Sequence, residues 1–140
     1  MYKWALPLEG VKFEKAFKVA EAREGLPAGL LGRVAYQESR FRQDIISGET
    51  QSSAGAVGLM QIVPKWHPDV DPKNPFESID YSAKYLRKLY ESFGDWRYAL
   101  AAYNWGPGNL KKYLEDPVNI RLPKETADYV AQIGADVGLI

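Results

Sequence analysis

The chain has no cysteine. Disulfides, thiolate nucleophiles and zinc ribbons are thereby excluded together, while the redox compartment stays open. Net charge is absent as well: eighteen basic residues balance eighteen acidic ones over 140 residues. No basic cluster reaches the density that binding to many phosphates demands, so no nucleic-acid partner is expected. Long hydrophobic runs are missing too. Residues 1–10 carry one lysine and a short apolar stretch, 4–8, broken by Pro7, which suits neither a signal peptide nor a spanning helix. The expectation is a chain synthesised without a signal peptide and without membrane insertion. Histidine occurs once, at His67. Asp69 and Asp71 come shortly after it in a proline-rich loop, but the calcium-loop pattern with its central glycine is not there, and neither a metal nor a cofactor is expected. With no repeats, low-complexity tract or linker, residues 1–140 read as one domain, long enough for a proper core.

What is present is helical periodicity. The composition, 46% hydrophobic and 26% charged, is that of an ordinary globular protein. Over 11–23 the residues Phe13, Phe17 and Ala20 share a face, and Gly25 stands just beyond. Leu26-Pro27 predicts the opening of a second helix, ending at Glu38 or Ser39. Residues 40–54 are polar and read as a loop, and 58–63 as a short helix stopped by Pro64. From Ile79 to Phe93 the apolar positions repeat at helical spacing, with Gly94 as C-terminal cap. Asp95 is the predicted N-cap of a helix through Tyr103. Gly106-Pro107-Gly108 breaks it, a short segment comes next over 109–114, and a last helix runs over 124–136. The expected fold class is all-α.

One acid stands out in this pattern. Leu30, Leu31, Val34 and Ala35 form an apolar stripe, and the next residue on that face is Glu38. Burying a carboxylate disfavours its charged form and raises its pKa, which makes a proton donor near neutral pH. The plain alternative is an acid at a helix end that points to water.

Four separated stretches bear on this choice. They are Glu38-Ser39-Arg40-Phe41, then Gly55-Ala56-Val57-Gly58-Leu59-Met60-Gln61-Ile62, then Ala101-Ala102-Tyr103-Asn104 with Gly106-Pro107, and Glu125-Thr126-Ala127-Asp128-Tyr129-Val130. In this order, over about 26–133, they resemble the catalytic domain of the soluble lytic murein transglycosylases, related in fold to goose-type lysozyme. The resemblance implies a lysozyme-like helical fold acting as a monomer on peptidoglycan glycan strands. It implies cleavage of the β-1,4 bond between N-acetylmuramic acid and N-acetylglucosamine. Glu38 would be the catalytic residue, with Ser52 or its neighbour Ser53, Gly58, Met60, Gln61, Tyr103, Asn104 and Tyr129 binding substrate. Each of these has a plainer structural reading: Gln61 as a capping or surface amide, and Tyr103 and Tyr129 as packed rings on core-facing stripes. Trp105 departs from the small residue usual in the family, and Lys65-Trp66-His67 departs from its small and hydroxylated run.

The chemistry tests the resemblance separately. Glycoside hydrolysis normally uses two carboxylates, about 5–5.5 Å apart for retention and about 6.5–9.5 Å for inversion. Only Glu38 is convincing here, with Asp44 and Glu49 as loop acids. One acid suffices where no water is activated. In the family the 6-hydroxyl of the muramic acid closes on its own C1, leaving a 1,6-anhydro ring, and the same glutamate serves as acid and then as base. A hydrolase of the same fold, with Asp44 or Glu49 positioning water, is the alternative enzyme. A non-catalytic peptidoglycan-binding virion module is the alternative of another class. A phage lysis or virion-associated enzyme, acting in the periplasm or cell wall, fits a chain without a leader.

Overall fold

A computed structural model of the chain describes residues 4–140, which divide into two compact units, Trp4–Lys84 and Tyr85–Ile140. The first unit holds a 3-10 helix (Leu8–Phe13) leading into α1 (Glu14–Glu24), then α2 (Leu30–Ser39), α3 (Gln43–Ile46) and the first part of α4 (Pro75–Phe93). The second holds the rest of α4, α5 (Trp96–Trp105), α6 (Pro107–Glu115) and α7 (Lys124–Asp136). The all-α expectation holds among the described residues, where the β-type pairing is one isolated bridge, Val57 with Ile62. No helix among them is long and apolar enough to cross a membrane.

In the first unit Phe13, Phe17 and Ala20 are buried as their spacing predicts. Gly25 closes α1 at φ 68, the left-handed conformation that costs glycine least. The start of α2 differs from expectation: it begins at Leu30, after Gly29 at φ 84, and not at Leu26-Pro27. The reason is tertiary. A helix N-terminus leaves backbone N–H groups without partners, and here a side chain of α1 supplies the acceptors. Gly29 N donates to Glu21 Oε1 at 3.1 Å and Leu31 N donates to Oε2 at 2.8 Å.

Glu21 is only 6% exposed, and burial pushes its carboxyl above the usual range although the bonds from Gly29, Leu31 and Gly32 pull the other way. The folded state therefore holds this proton more tightly than the unfolded chain does. The stabilisation tied to that proton is complete below the ordinary glutamate value of about 4.3 and is lost as pH rises through the raised folded value. Glu21→Gln, neutral throughout, shifts stability by a pH-independent amount only. In urea titrations the wild type should therefore lose stability relative to Glu21→Gln as pH rises from 4 to 7. A gap that widens in the wild type's favour over that window would show the reverse sign.

Two further segments of this unit depart from the sequence reading. Within the expected loop 40–54, Gln43–Ile46 forms a helical turn that buries Ile46. The expected short helix over 58–63 is instead a tight reversal, in which Val57 and Ile62 exchange N–H···O bonds of 2.9 and 3.0 Å. Gly58 stands at φ 83, and a Cβ there would run into the carbonyl oxygen of Pro72. Leu59, Met60 and Ile62 are buried by the reversal.

Helix α4 begins at Pro75, a turn before its apolar stripe. Asn74 Oδ1 accepts from Glu77 N at 3.1 Å, and proline is favoured in the first helical position because its missing N–H would be unpaired there. In the second unit Asp95 caps α5 as predicted, accepting from Arg97 N at 2.8 Å. Pro107 starts α6 earlier than the expected 109 by the same logic as Pro75. The last helix has its predicted bounds. Leu89, Ala99, Ala101, Ala102 and Leu110 form a buried cluster, against which half-buried aromatics including Tyr85, Tyr103 and Trp105 pack.

Candidate active site

Glu38 lies one residue before the end of α2 and is half-buried. The backbone leaving this helix end is unusual. Arg40 and Phe41 stand at φ 54 and 55, both in the left-handed region that side-chain-bearing residues seldom enter. Ser39 holds this exit in place. Fully buried, its Oγ donates to Ala35 O at 2.9 Å and accepts from Phe41 N at 3.2 Å. Phe41 is buried, with its ring centroid 5.8 Å from that of Tyr36 and 6.3 Å from that of Phe17. The carboxylate of Glu38 is thus carried on a helix end whose departing chain is locked on the inner side.

The glycine-rich segment is the second construction of this unit. Gln61, at φ 51, is the other described non-glycine residue with positive φ. Its main-chain N–H and its Nε2 both donate to Gly58 O, at 3.1 and 2.9 Å. Gln61 therefore closes the reversal, which agrees with its structural reading and leaves its Oε1 as the acceptor not used in that closure. The Met60 side chain is fully buried, so a sugar would meet its main chain only. Ser52 is exposed, and its Oγ accepts from Ala56 N at 2.9 Å. Gly55, at φ 84, has open space around it.

Left-handed non-glycine residues cost free energy and persist where the surroundings over-determine them, a pattern concentrated at functional sites. Among the described residues all three lie in the first two motif stretches.

In the second unit the last two motif stretches come together through one hydrogen bond. Thr126 Oγ1 donates to Asn104 Oδ1 at 2.8 Å, and Thr126 is almost fully buried. With its oxygen so engaged, Asn104 keeps its amide hydrogens to offer. The sequence assigned no role to Thr126, although its i, i+3 relation to Tyr129 places the two on one face of α7. Tyr129 is 4% exposed, and Tyr103 is half-buried with its ring 6.0 Å from that of Tyr85. Trp105 is half-buried and sits edge-on to Tyr113.

Two of the loop acids, Asp44 and Asp71, are committed locally. Asp44 is held below the usual carboxylate range by a hydrogen bond from Thr50 and by Arg42, whose guanidinium pairs with it at 2.9 Å. His67 Nδ1 lies 2.5 Å from the Tyr81 hydroxyl, and burial lowers the imidazole pKa. Asp71 Oδ1 accepts from Lys73 N at 3.0 Å. Trp66, by contrast, is 70% exposed.

The Transglycosylase SLT domain family model matches residues 15–119. Among relatives, the membrane-bound lytic murein transglycosylase F of Pseudomonas fluorescens is 36% identical over 110 residues, which cover 71% of this chain and 21% of that protein. The soluble lytic murein transglycosylase of Escherichia coli is 28% identical over 116 residues, covering 73% of this chain and 17% of its own length. The chain thus spans about a fifth of the length of these relatives. The X-ray structure of an inactive mutant of lytic transglycosylase Slt from Pseudomonas aeruginosa superposes with a TM-score of 0.69 over 90% of this chain and 23% of its own, at 23% identity. That likeness establishes a shared fold. With the family model spanning three quarters of its length, the chain belongs to the Transglycosylase SLT domain family.

Proposed function

We propose that the chain, as one domain over 1–140, is a peptidoglycan lytic transglycosylase that cleaves the bond between N-acetylmuramic acid and N-acetylglucosamine. Glu38, as the acid, protonates the bridging oxygen while the bond from that oxygen to the muramic C1 breaks. The 6-hydroxyl of the same sugar then attacks C1 and gives its proton to the Glu38 carboxylate, which restores the acid and leaves a 1,6-anhydro ring. No water is consumed. The observation that carries this reading is the half-buried Glu38 on a helix end locked by Ser39 and two left-handed residues. Ser52, Gly58, Met60 through its main chain, Gln61, Tyr103, Asn104 and Tyr129 contact the sugars. The domain acts as a monomer on glycan strands in the periplasm or cell wall, with no metal or cofactor.

The hydrolase alternative is less well supported. Its base would be Asp44 or Glu49, yet Asp44 is bound by Arg42 and Thr50 and kept a weak base. Mass spectrometry of digests of purified peptidoglycan distinguishes the two enzymes. Products ending in 1,6-anhydro rings, lighter by one water than hydrolytic fragments, are expected, with a rate unchanged by chelators. Reducing ends in their place would establish the hydrolase.

A further inference from the structure

The Thr126 hydroxyl, in the first turn of α7, takes no part in capping that helix. Pro123 is the N-cap, and no side chain bonds there. A buried hydroxyl needs an acceptor for its hydrogen, and the one that Thr126 has among the described residues is Asn104 Oδ1, 22 positions away in sequence and 2.8 Å in space. The bond is tertiary. Helices α5 and α7 pack against each other, and buried Ala101 and Ala102, on the turn before Asn104, keep α5 slender on that side. Tyr129, on the same face of α7 as Thr126, is buried too.

This bond decides which way the Asn104 amide faces. An amide can turn through half a rotation and exchange its oxygen for its nitrogen with little change of shape. Turned so, it would set Nδ2 against Thr126 and leave the buried hydroxyl hydrogen without an acceptor, so the oxygen end is selected. The nitrogen end faces the other way. Asn104 is half-buried, and no buried side-chain nitrogen or oxygen among the described residues lacks a partner. Nδ2 makes no hydrogen bond among them, so it reaches the accessible surface with both hydrogens unpaired. An amide held in this way recognises an acceptor oxygen and rejects a donor.

We propose that Thr126 is a positioning residue for substrate binding, fixing the Asn104 amide so that Nδ2 donates to an acceptor oxygen of the glycan. This assignment rests on the function proposed above, in which Asn104 contacts the sugars, and adds which atom makes the contact and what holds it in place. Thr126 itself, 1% exposed, is out of a sugar's reach.

Soluble peptidoglycan glycan strands freed of their peptides serve as both substrate and ligand. Thr126→Val keeps the shape of the side chain and removes the hydroxyl, which frees the amide to turn. KM should rise about three- to tenfold. Turnover, kcat, should stay within about twofold, because the contact is to bound sugar and not to the reacting atoms. Thr126→Ser keeps the hydroxyl and drops a buried methyl. It should lower Tm and yet retain the wild-type KM, the reverse of what a packing role alone predicts. Added to Asn104→Ala, Thr126→Val should raise KM no further, since the group it orients is gone. Calorimetry of the same strands with the Thr126 variants carrying Glu38→Gln reads binding with nothing cut. Equal KM and equal strand affinity in wild type and Thr126→Val would overturn the positioning role. So would a loss in Thr126→Ser as large as that in Thr126→Val, or a further rise in KM on the Asn104→Ala background. Weaker strand binding by Thr126→Val, in a chain that leaves peptidoglycan uncut even with Glu38 present, would instead keep the role and overturn the enzymatic reading.

Discussion

Glu38→Gln should lower the rate of peptidoglycan clearing by about 10²–10⁴-fold or more while changing stability by less than about 1 kcal/mol. The amide matches the carboxylic acid in shape but has no acidic proton to give and cannot act as the base in the second step. Removal of one group therefore stops both halves of a reaction in which that group serves twice. Glu38 is half-buried, and glutamine keeps its shape and an oxygen that accepts hydrogen bonds, so the fold is expected to tolerate the change. Turbidity measurements on wall suspensions, paired with melting curves, separate lost chemistry from lost structure. A well-folded Glu38→Gln protein that clears at near the wild-type rate would remove Glu38 from the mechanism and leave one of the loop acids to carry it.

The largest stability effect is expected at Gly58. Alanine there meets two obstacles: the backbone stands at φ 83, and the new Cβ collides with the main-chain oxygen of Pro72. No rotamer relieves a clash between a Cβ and backbone, so either the reversal over 57–62 or the Pro72 segment has to move. Gly55 supplies the internal control, since it has nearly the same φ of 84 but open space around it. Gly55→Ala should cost only the left-handed penalty of about 1–2 kcal/mol. Gly58→Ala should cost about 2–4 kcal/mol, a drop in Tm of roughly 5–12 °C for a chain of this size. Because Gln61 closes the same reversal onto Gly58 O, Gly58→Ala should also lose activity beyond its loss of stability. Equal melting temperatures for the two alanine variants would mean that the Pro72 contact yields easily.

Where a signal was local, the sequence was enough. The long stripe of α4, the Asp95 cap of α5 and the helix opened after Pro123 are each written in neighbouring residues, because side-chain periodicity and capping act over a few positions. The motif order likewise pointed to Glu38 and to the family before any fold was known. The remaining features were decided by residues distant in the chain. Helix α2 starts at Leu30 because Glu21, on another helix, accepts its first N–H groups. The segment 58–63 has enough apolar residues for a helix, but Val57 pairs with Ile62, and the Pro72 carbonyl leaves room at position 58 for glycine alone. The left-handed exit at Arg40 and Phe41 carries no propensity signal, and it is held by Ser39 and by the space that Gly10 leaves for the Phe41 ring. Sequence alone determined the helical class and the family, and it singled out Glu38 as the acid to test. Tertiary contacts decided where α2 begins, how the glycine-rich segment turns and which way Arg40 faces, because each of those depends on an acceptor or a void supplied from elsewhere in the fold.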